Sequence, residues 1–279
     1  MDRANQSLKL GKIGFLNILP VYYALEKGVV EHPFEIVEGS PSELNRMMSR
    51  GELGISAVSS LEYGHNYRKY LLVPGLSISS VGEVKSVVLF SNYPIRELDG
   101  REILVTSKSY TSVYLLKLLF NRYWYASPRY TETRAVEYPV ECNRHSALLA
   151  IGDDALRLRK MKAYRYEVDL GSTWYEWTGK PFVFAVWVIN RDIITGLNGH
   201  LEVAYRALMK AREFGLNHLS LVAKQASRGN ILSFSECLEY FEQLSYDLSE
   251  EYLEGLDLFF SYLVECKMLS EKPEICFYR

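Results

Sequence analysis

Short apolar runs separated by amphipathic segments fill the first two thirds of the chain. Runs of roughly four to eight apolar residues bounded by turn residues are typical of buried strands, and several are followed by segments with helical spacing. This alternation of strands and helices indicates an α/β sheet. We predict strands over residues 8–15, 34–37, 55–58, 86–90, 102–105, 147–151, 166–170 and 182–189.

Residues that favour helix N-termini stand directly after several of these strands. The segment Ser40-Pro41-Ser42-Glu43 has the pattern of a capping box with proline at the first helical position. The segment Ser109-Tyr110-Thr111-Ser112 precedes an apolar run that ends at Phe120, which predicts another helix. Further helices are predicted from Pro20, near residues 61–63 and after Gly152.

The pattern changes from about residue 199 to 269, where it predicts a tail of three amphipathic helices. Before that tail, the strand at 86–90 leaves the first α/β unit and the strand at 182–189 returns to it. We therefore predict two lobes, the first from residues 1–90 and 187–279 and the second from residues 91–186. A cleft between the lobes is the expected ligand site.

Composition and charge exclude several classes of protein. The 279 residues include 32 Lys and Arg and 34 Asp and Glu, a net charge of -2, which argues against nucleic-acid binding by bulk positive charge. The longest apolar run, at 181–189, is too short to cross a membrane as a helix. The N-terminal residues lack the pattern of a signal peptide, so we predict a cytoplasmic protein.

Cysteine and histidine spacing does not predict a metal site. The four cysteines, Cys142, Cys237, Cys266 and Cys276, form no C-x-x-C pair, and the five histidines have no metal-ligand spacing. We predict reduced, structural thiols and no bound metal. Sequence motifs for a nucleophile elbow, a phosphate-binding loop or a dinucleotide-binding turn are absent.

Polar residues at strand ends and helix starts are the candidates for ligand binding. Helix N-termini present free N–H groups that suit carboxylates and phosphates, so several of them around one cleft would bind a small anion. The candidates are Asn17, Ser40, Ser56, Ser59, Ser60, Ser86, Ser109, Thr111, Ser112 and Asp153. For each hydroxyl the alternative is a simple helix cap, which the capping box favours for Ser40.

Two further groups of residues leave alternatives open. The adjacent acids Asp153 and Asp154 follow a strand, where a helix cap is a better interpretation than a general acid and base. Among the aromatic residues, Trp174, Tyr175 and Trp177 could line the cleft, whereas Trp187 lies within an apolar strand and is expected in the core.

Seven segments in this order resemble the chorismate dehydratase family of the futalosine route to menaquinone. They extend from about residue 10 to residue 190. Each segment alone is a weak signal, but their occurrence together in this order is specific to the family. The segments are Lys12–Asn17 with Pro20, Gly51–Ser56, Ser86–Ser91, Ser109–Val113, Ala150–Leu156, Asp169–Trp174 and Thr178–Ala185. Lys180 departs from the resemblance, because an apolar residue is expected there.

The resemblance implies a two-lobed fold like that of the type II periplasmic binding proteins, used as an enzyme. It implies that chorismate is the substrate, that no metal or organic cofactor is needed, and that Asn17 and Ser86 are catalytic. No dedicated strong base stands in the matching segments, so a substrate carboxylate is a candidate to take the proton. The alternatives are a non-enzymatic binding module of the same fold and a sister enzyme acting on a later pathway intermediate.

Overall fold

The computed structural model describes residues 8–133, 145–194 and 200–279, and in these ranges it contains two five-stranded sheets. The strands are β1 (Leu8–Ile13), β2 (Phe34–Gly39), β3 (Ile55–Ser59), β4 (Tyr70–Ser80), β5 (Val87–Ser91), β6 (Glu102–Thr106), β7 (Arg129–Thr133), β8 (Ala147–Ile151), β9 (Tyr166–Asp169) and β10 (Phe182–Asn190). The helices are α1 (Leu19–Glu26), α2 (Pro41–Ser49), α3 (Ser60–Asn66), α4 (Tyr110–Arg122), α5 (Gly152–Met161), α6 (Leu170–Thr178), α7 (Arg191–Ile194), α8 (His200–Asn217), α9 (Leu219–Ala226), α10 (Phe234–Gln243) and α11 (Glu250–Glu265).

The two sheets have the same order of strands. The first sheet runs β2-β1-β3-β10-β4 and the second runs β7-β6-β8-β5-β9. In each, the first three strands are parallel, and the fourth is antiparallel to both of its neighbours. The fourth strand, β10 or β5, is the one that the chain forms on arriving from the other sheet. The α/β class predicted from the alternating pattern is confirmed.

The chain passes between the sheets at residues 81–86 and again at residues 170–181. The predicted lobe limits, 90/91 and 186/187, fall inside β5 and β10. Residues 87–90 therefore lie in the second sheet and residues 182–186 in the first, because each crossing strand pairs throughout its length with the sheet that it enters. The chain therefore crosses from one sheet to the other a few residues before each predicted limit.

The parallel strands place their carboxyl ends at a common edge of each sheet. Strands β1 and β3 end at Ile13 and Ser59, and β6 and β8 end at Thr106 and Ile151. A 3₁₀ turn at Leu16–Ile18, the helix α3 and the helices α4 and α5 begin close after these ends. In open α/β sheets this edge is where ligands bind, because helix N-termini point at it.

The C-terminal tail contains four helices, α8 to α11, where the sequence predicted three. The helices α8 and α9 are separated at His218, whose ring stacks on Phe214 at a centroid distance of 4.1 Å. Two glycines of the tail pack closely on backbone that flanks the first sheet, in α1 and just before β10. Gly215 of α8 lies against the carbonyl of Pro20, and Gly255 of α11 lies against the carbonyl of Pro181, with no room for a side chain at either position.

Strand β4 has no counterpart among the predicted strands. Its Pro74 and Gly75 are turn signals in a sequence, yet proline is tolerated in a strand at the edge of a sheet, where β4 lies. Ser245 of the tail forms an antiparallel bridge with Ser79, with N–H···O distances of 2.9 and 2.8 Å. The tail thereby satisfies part of an edge that the sequence pattern did not reveal.

The large aromatic residues lie mainly in the core. Trp187 is fully buried, as predicted from its apolar strand. Trp174 is also fully buried and donates from Nε1 to the carbonyl of Pro181 at 3.2 Å. Trp177 stacks on Tyr262 at a centroid distance of 5.0 Å. These side chains hold α6 against α11 and β10.

Within the described ranges, no helix has the length and apolar character needed to cross a membrane. Cys237, Cys266 and Cys276 are free thiols, and Cys142 lies outside the described residues.

Candidate functional site

A pocket of about 690 Å³, including its open mouth, lies between the carboxyl ends of the two sheets. The lining residues are Ile13, Phe15, Asn17, Ile18, Pro41, Asn45, Ser59, Ile78, Val84, Ser86, Val87, Lys108, Ser109, Ser112, Ile151, Gly152, Phe184 and Ala185. Both sheets contribute, so the site requires the two-sheet arrangement.

Phe15 forms one apolar wall and joins the two halves of the site. It precedes the turn Leu16–Ile18, and its ring lies over Gly152 at the start of α5. A Cβ at Gly152 would stand 3.0 Å from the Phe15 ring, and Gly152 has a φ of +55°, which favours glycine. Phe184 and Ile78 contribute further apolar surface from the first sheet. These walls suit a planar, weakly polar ring.

Ser86 lies at the end of the first crossing segment and is 2% exposed. Its N–H donates to the carbonyl of Val84 at 2.8 Å across Lys85, whose φ is +62°. This is a γ-turn of the rarer kind, which is strained for a residue other than glycine. Asp169 supports the turn, because its carboxylate accepts from the N–H groups of Val84 and Lys85 at 3.1 and 2.8 Å.

The Ser86 side chain has a buried hydroxyl partner. The Tyr240 hydroxyl donates to Ser86 Oγ at 2.9 Å, and the carbonyl of Val84 lies 3.4 Å from the same Oγ. The Ser86 carbonyl accepts from the N–H of Gly152 at 2.7 Å, so the residue is also tied to the start of α5. Backbone and side chain are therefore both held in place at the pocket wall.

Asn17 lies in the turn between β1 and α1 and faces the pocket from the first sheet. Its carbonyl accepts from the Tyr246 hydroxyl at 2.8 Å. Its side-chain amide makes no hydrogen bond within the part of the chain that the structure describes. The amide N–H₂ and oxygen are therefore available to a ligand.

Three further predicted residues line the pocket at helix starts. Ser59 caps α3 by accepting from the N–H of Glu62 at 3.3 Å, and Ser109 caps α4 by accepting from the N–H of Ser112 at 3.3 Å. The Ser109 and Ser112 hydroxyls lie 3.1 Å apart. Ser59 and Ser109 are therefore helix caps that also line the pocket, and their part in ligand binding stays a prediction.

Five predicted residues are absent from the pocket lining within the described ranges: Ser40, Ser56, Ser60, Thr111 and Asp153. Ser40 is an exposed N-cap whose capping box with Glu43 is complete, so the cap interpretation is the correct one. Ser56 is buried on β3 against Gly11, and its Oγ donates to the carbonyl of Ala57 at 3.0 Å.

The other three are used in contacts within the protein. Ser60 Oγ donates to the carbonyl of Val183 at 2.5 Å. Thr111 Oγ1 accepts from the N–H of Leu61 at 2.8 Å, which links α4 to α3. Asp153 accepts from the N–H of Leu16 at 3.1 Å, which links α5 to the loop after β1. Their hydroxyl and carboxyl groups connect elements and do not line the pocket.

Two lining residues were missed at the level of sequence, Lys108 and Asn45. Asn45 lies one helical turn after Pro41 on α2, so the i, i+4 spacing places both on one face. Lys108 directly precedes the cap Ser109, and its Nζ lies 2.6 Å from Asp154. An ammonium group has three donors, so one ion pair leaves others for a ligand. The signal that could have identified Lys108 in the sequence is its position as a basic residue next to a helix start predicted to bind an anion.

The charge balance of the pocket favours an anion. Lys108 is the charged residue among the described residues that line it. The carboxyl groups of Asp153 and Asp169 accept from backbone N–H groups of the protein, and burial raises the pKa of Asp153 above its ordinary value. Burial likewise raises the pKa of Asp169, against the effect of its three backbone donors. No group of three or more His, Cys, Asp or Glu residues within the described ranges has metal-ligating geometry.

The predicted aromatic lining is also revised. Trp174, Tyr175 and Trp177 do not line this pocket in the part of the chain that the structure describes. They lie on α6, and its buried face packs on β10 and α11. Phe15 and Phe184 are the aromatic rings at the site instead.

Sequence comparisons place the chain among enzymes of one pathway. A profile of the family described as "Menaquinone biosynthesis" matches residues 8–265. The chorismate dehydratase of Thermus thermophilus is 33% identical over 240 residues, covering 78% of this chain and 81% of that protein. The 1,4-dihydroxy-6-naphtoate synthase of the same organism is 26% identical over 253 residues, covering 88% of this chain and 90% of that protein.

Comparison with solved structures shows the fold. A Candida albicans protein with the generic periplasmic binding protein fold superposes with a TM-score of 0.70 at 9% identity, covering 98% of each chain. The predicted two-lobed, periplasmic-binding-protein-like fold with a helical C-terminal tail is confirmed. At this level of identity the likeness concerns the fold alone.

Proposed function

The chain belongs to the menaquinone-biosynthesis family, and from this we propose that it is a chorismate dehydratase, a hydro-lyase that converts chorismate to 3-[(1-carboxyvinyl)oxy]benzoate and water. The match to the family covers most of the chain, and a relative with that activity is 33% identical. The match to the sister enzyme has lower identity, so it is the weaker alternative.

The observation that carries the proposal is the composition of the pocket. An amide (Asn17) and a hydroxyl (Ser86) face an apolar cavity whose described lining contains one cation, Lys108, and several helix starts at its rim. Chorismate has a ring, a hydroxyl on that ring and two carboxylates. The apolar walls fit the ring, and Lys108 with the start of α4 fits a carboxylate.

The reaction removes the ring hydroxyl and one ring hydrogen and leaves an aromatic ring. A base takes the proton, the C–H electron pair becomes part of the ring, and the C–O bond breaks as the oxygen leaves in water. Aromatisation supplies much of the driving force. The enzyme therefore needs mainly to orient the substrate and to stabilise charge at the reacting oxygens.

We assign roles that need no ionisation of the protein groups. Ser86 donates a hydrogen bond to the leaving oxygen, and the Asn17 amide orients and polarises the substrate. A carboxylate of the substrate itself takes the ring proton. This assignment is supported by the described lining residues, which include no carboxylate, imidazole, thiol or phenol that could serve as the base.

The test is incubation of the pure protein with chorismate, with products separated by chromatography. We expect 3-[(1-carboxyvinyl)oxy]benzoate to accumulate catalytically, at the same rate with a chelator present. Chorismate that binds but returns unchanged would support the binding module instead. Activity lost on chelation and restored by a metal would contradict a cofactor-free reaction. The location in the cytoplasm stays a prediction.

A further inference from the structure

Two buried tyrosines of the C-terminal tail contact the two residues to which we assign catalysis. Tyr240 on α10 donates to Ser86 Oγ at 2.9 Å, and Tyr246, just after α10, donates to the carbonyl of Asn17 at 2.8 Å. Tyr240 is 1% exposed and Tyr246 is 2% exposed, and the described pocket lining includes neither. Both therefore act from behind the pocket wall.

The contact of Tyr240 determines which way the Ser86 hydrogen can point. A hydroxyl has one hydrogen and two lone pairs, and Tyr240 occupies one lone pair. Within the described residues, the acceptor that remains for the Ser86 hydrogen is the carbonyl of Val84, at a long 3.4 Å. A substrate oxygen in the pocket would compete well with that contact.

We propose that Tyr240 is a positioning residue, which holds Ser86 as a hydrogen-bond donor to the substrate. The inference rests on the proposed function, in which Ser86 donates to the leaving oxygen. The hydrogen bond from Tyr240 to Ser86 strengthens the one from Ser86 to the substrate, because a hydroxyl that accepts a hydrogen bond becomes a better donor. A helix of the C-terminal tail thereby takes part in the reaction without touching the substrate.

The docking of α10 is specific to the turn that holds Ser86. Glu239, the residue before Tyr240, forms an ion pair with Lys85, the residue before Ser86. A second ion pair joins Glu236 of α10 to Lys160 of α5 at 3.1 Å. Burial raises the pKa of Tyr240 far above its ordinary value, so its hydroxyl keeps its proton. Two consecutive residues of α10 thus meet two consecutive residues of the strained turn.

The test is a double-mutant cycle of Tyr240→Phe and Ser86→Ala, followed by steady-state kinetics with chorismate. We expect Tyr240→Phe to lower kcat about tenfold with little change in KM, because the hydrogen bond matters as the oxygen leaves. In the Ser86→Ala background, Tyr240→Phe should have no further effect on kcat. Effects that multiply, or a Tyr240→Phe variant with wild-type kcat, would overturn the inference.

Tyr63→Phe is the matched control. Tyr63 is also a fully buried tyrosine, and its hydroxyl donates to the carbonyl of Glu274 at 2.8 Å and accepts from the N–H of Cys276 at 3.1 Å, away from the pocket. The Tyr63→Phe substitution should lower the melting temperature and leave kcat unchanged. A loss of kcat in Tyr63→Phe equal to that in Tyr240→Phe would mean that stability alone is responsible, and would overturn the inference.

A second readout does not depend on turnover. In a Ser86→Cys variant, the Tyr240 hydroxyl should stabilise the thiolate, so the thiol at position 86 should titrate at lower pH than in Ser86→Cys/Tyr240→Phe. Alkylation of that cysteine, followed by peptide mass spectrometry across pH, measures the difference. Equal titration would overturn the inference even if chorismate is converted. A wild type inactive on chorismate would instead refute the proposed function.

Discussion

Lys108 supplies the positive charge of the pocket, and its position shows how one residue serves two partners. Its side chain is 40% exposed and is paired with Asp154, which is held on α5. The pair keeps the ammonium near the start of α4, where helix N–H groups also favour anions. We infer that Lys108 binds a carboxylate of chorismate in both the ground state and the transition state.

Lys108→Met is expected to raise KM about 10- to 100-fold while kcat changes little, because a hydrogen bond to a charged group is lost in both states. Lys108→Arg should recover most of the affinity by keeping the charge. Steady-state kinetics with chorismate measures both. Lys180→Met is the matched control, since Lys180 is also half-exposed and paired, with Glu254, but lies away from the pocket. Equal KM values in Lys108→Met and the wild type would remove Lys108 from the binding site.

At the scale of elements, the start of α4 combines binding with structure. Ser109 caps the helix and lines the pocket, whereas Thr111, two residues later, is 1% exposed and accepts from the N–H of Leu61. The sequence pattern treats the two alike, since both are hydroxyl residues at a helix start. Their partners differ, because successive helical residues point in different directions.

We expect Ser109→Ala and Thr111→Ala to separate these functions. Thr111→Ala leaves the buried N–H of Leu61 without an acceptor and should lower the free energy of unfolding by about 1–3 kcal/mol, with KM unchanged. Ser109→Ala should lower it by about 1 kcal/mol through the lost cap and should also raise KM several-fold. Denaturant unfolding and kinetics on both variants check this. A raised KM in Thr111→Ala would show that its hydroxyl reaches the substrate.

At the scale of the whole molecule, a few contacts join the two sheets across the pocket. The N–H of Leu16 donates to Asp153, the N–H of Leu61 donates to Thr111, and Phe15 packs on Gly152. Asp153 is partly buried, and burial raises its pKa, while Arg157 and Lys108 act in the opposite direction and Asp154 in the same one. Its charge is therefore disfavoured in the folded state even as its oxygen makes a useful contact.

This predicts that the contribution of Asp153 to the free energy of unfolding falls as pH rises. A carboxyl group whose pKa is raised on folding binds more protons in the folded state, so the folded state loses stability as pH increases from the ordinary aspartate value of 3.8 through the raised pKa. Asp153→Asn keeps an oxygen for Leu16 but does not ionise. The free energy of unfolding of Asp153→Asn minus that of the wild type should therefore be larger near neutral pH than near pH 3.8. Urea unfolding across pH measures this, and an offset that does not depend on pH would contradict it.

Much of the fold could be predicted because its signals are local. Alternating apolar runs and helix caps mark most strands and helix starts, and the capping box at Ser40 formed as written. Strands β4 and β7 were missed, because Pro74-Gly75 is a turn signal within β4 and because β7 is polar and mostly exposed. The division of the tail was missed because His218 is not a turn residue. The lobe limits were misplaced by a few residues, because pairing and not pattern decides which sheet a strand joins.

The α/β class, the family and the presence of hydroxyl, amide and acidic groups at helix starts follow from the amino-acid sequence without the structure. Which of these groups face the pocket depends on the three-dimensional arrangement of the two sheets and the tail. Ser60 donates to a backbone carbonyl and Thr111 accepts from a backbone N–H of distant segments, and Tyr240 contacts Ser86 across 154 positions of the chain. The physical reason is that a hydrogen-bonding group has few donors and acceptors, and which partners occupy them depends on contacts between residues far apart in sequence.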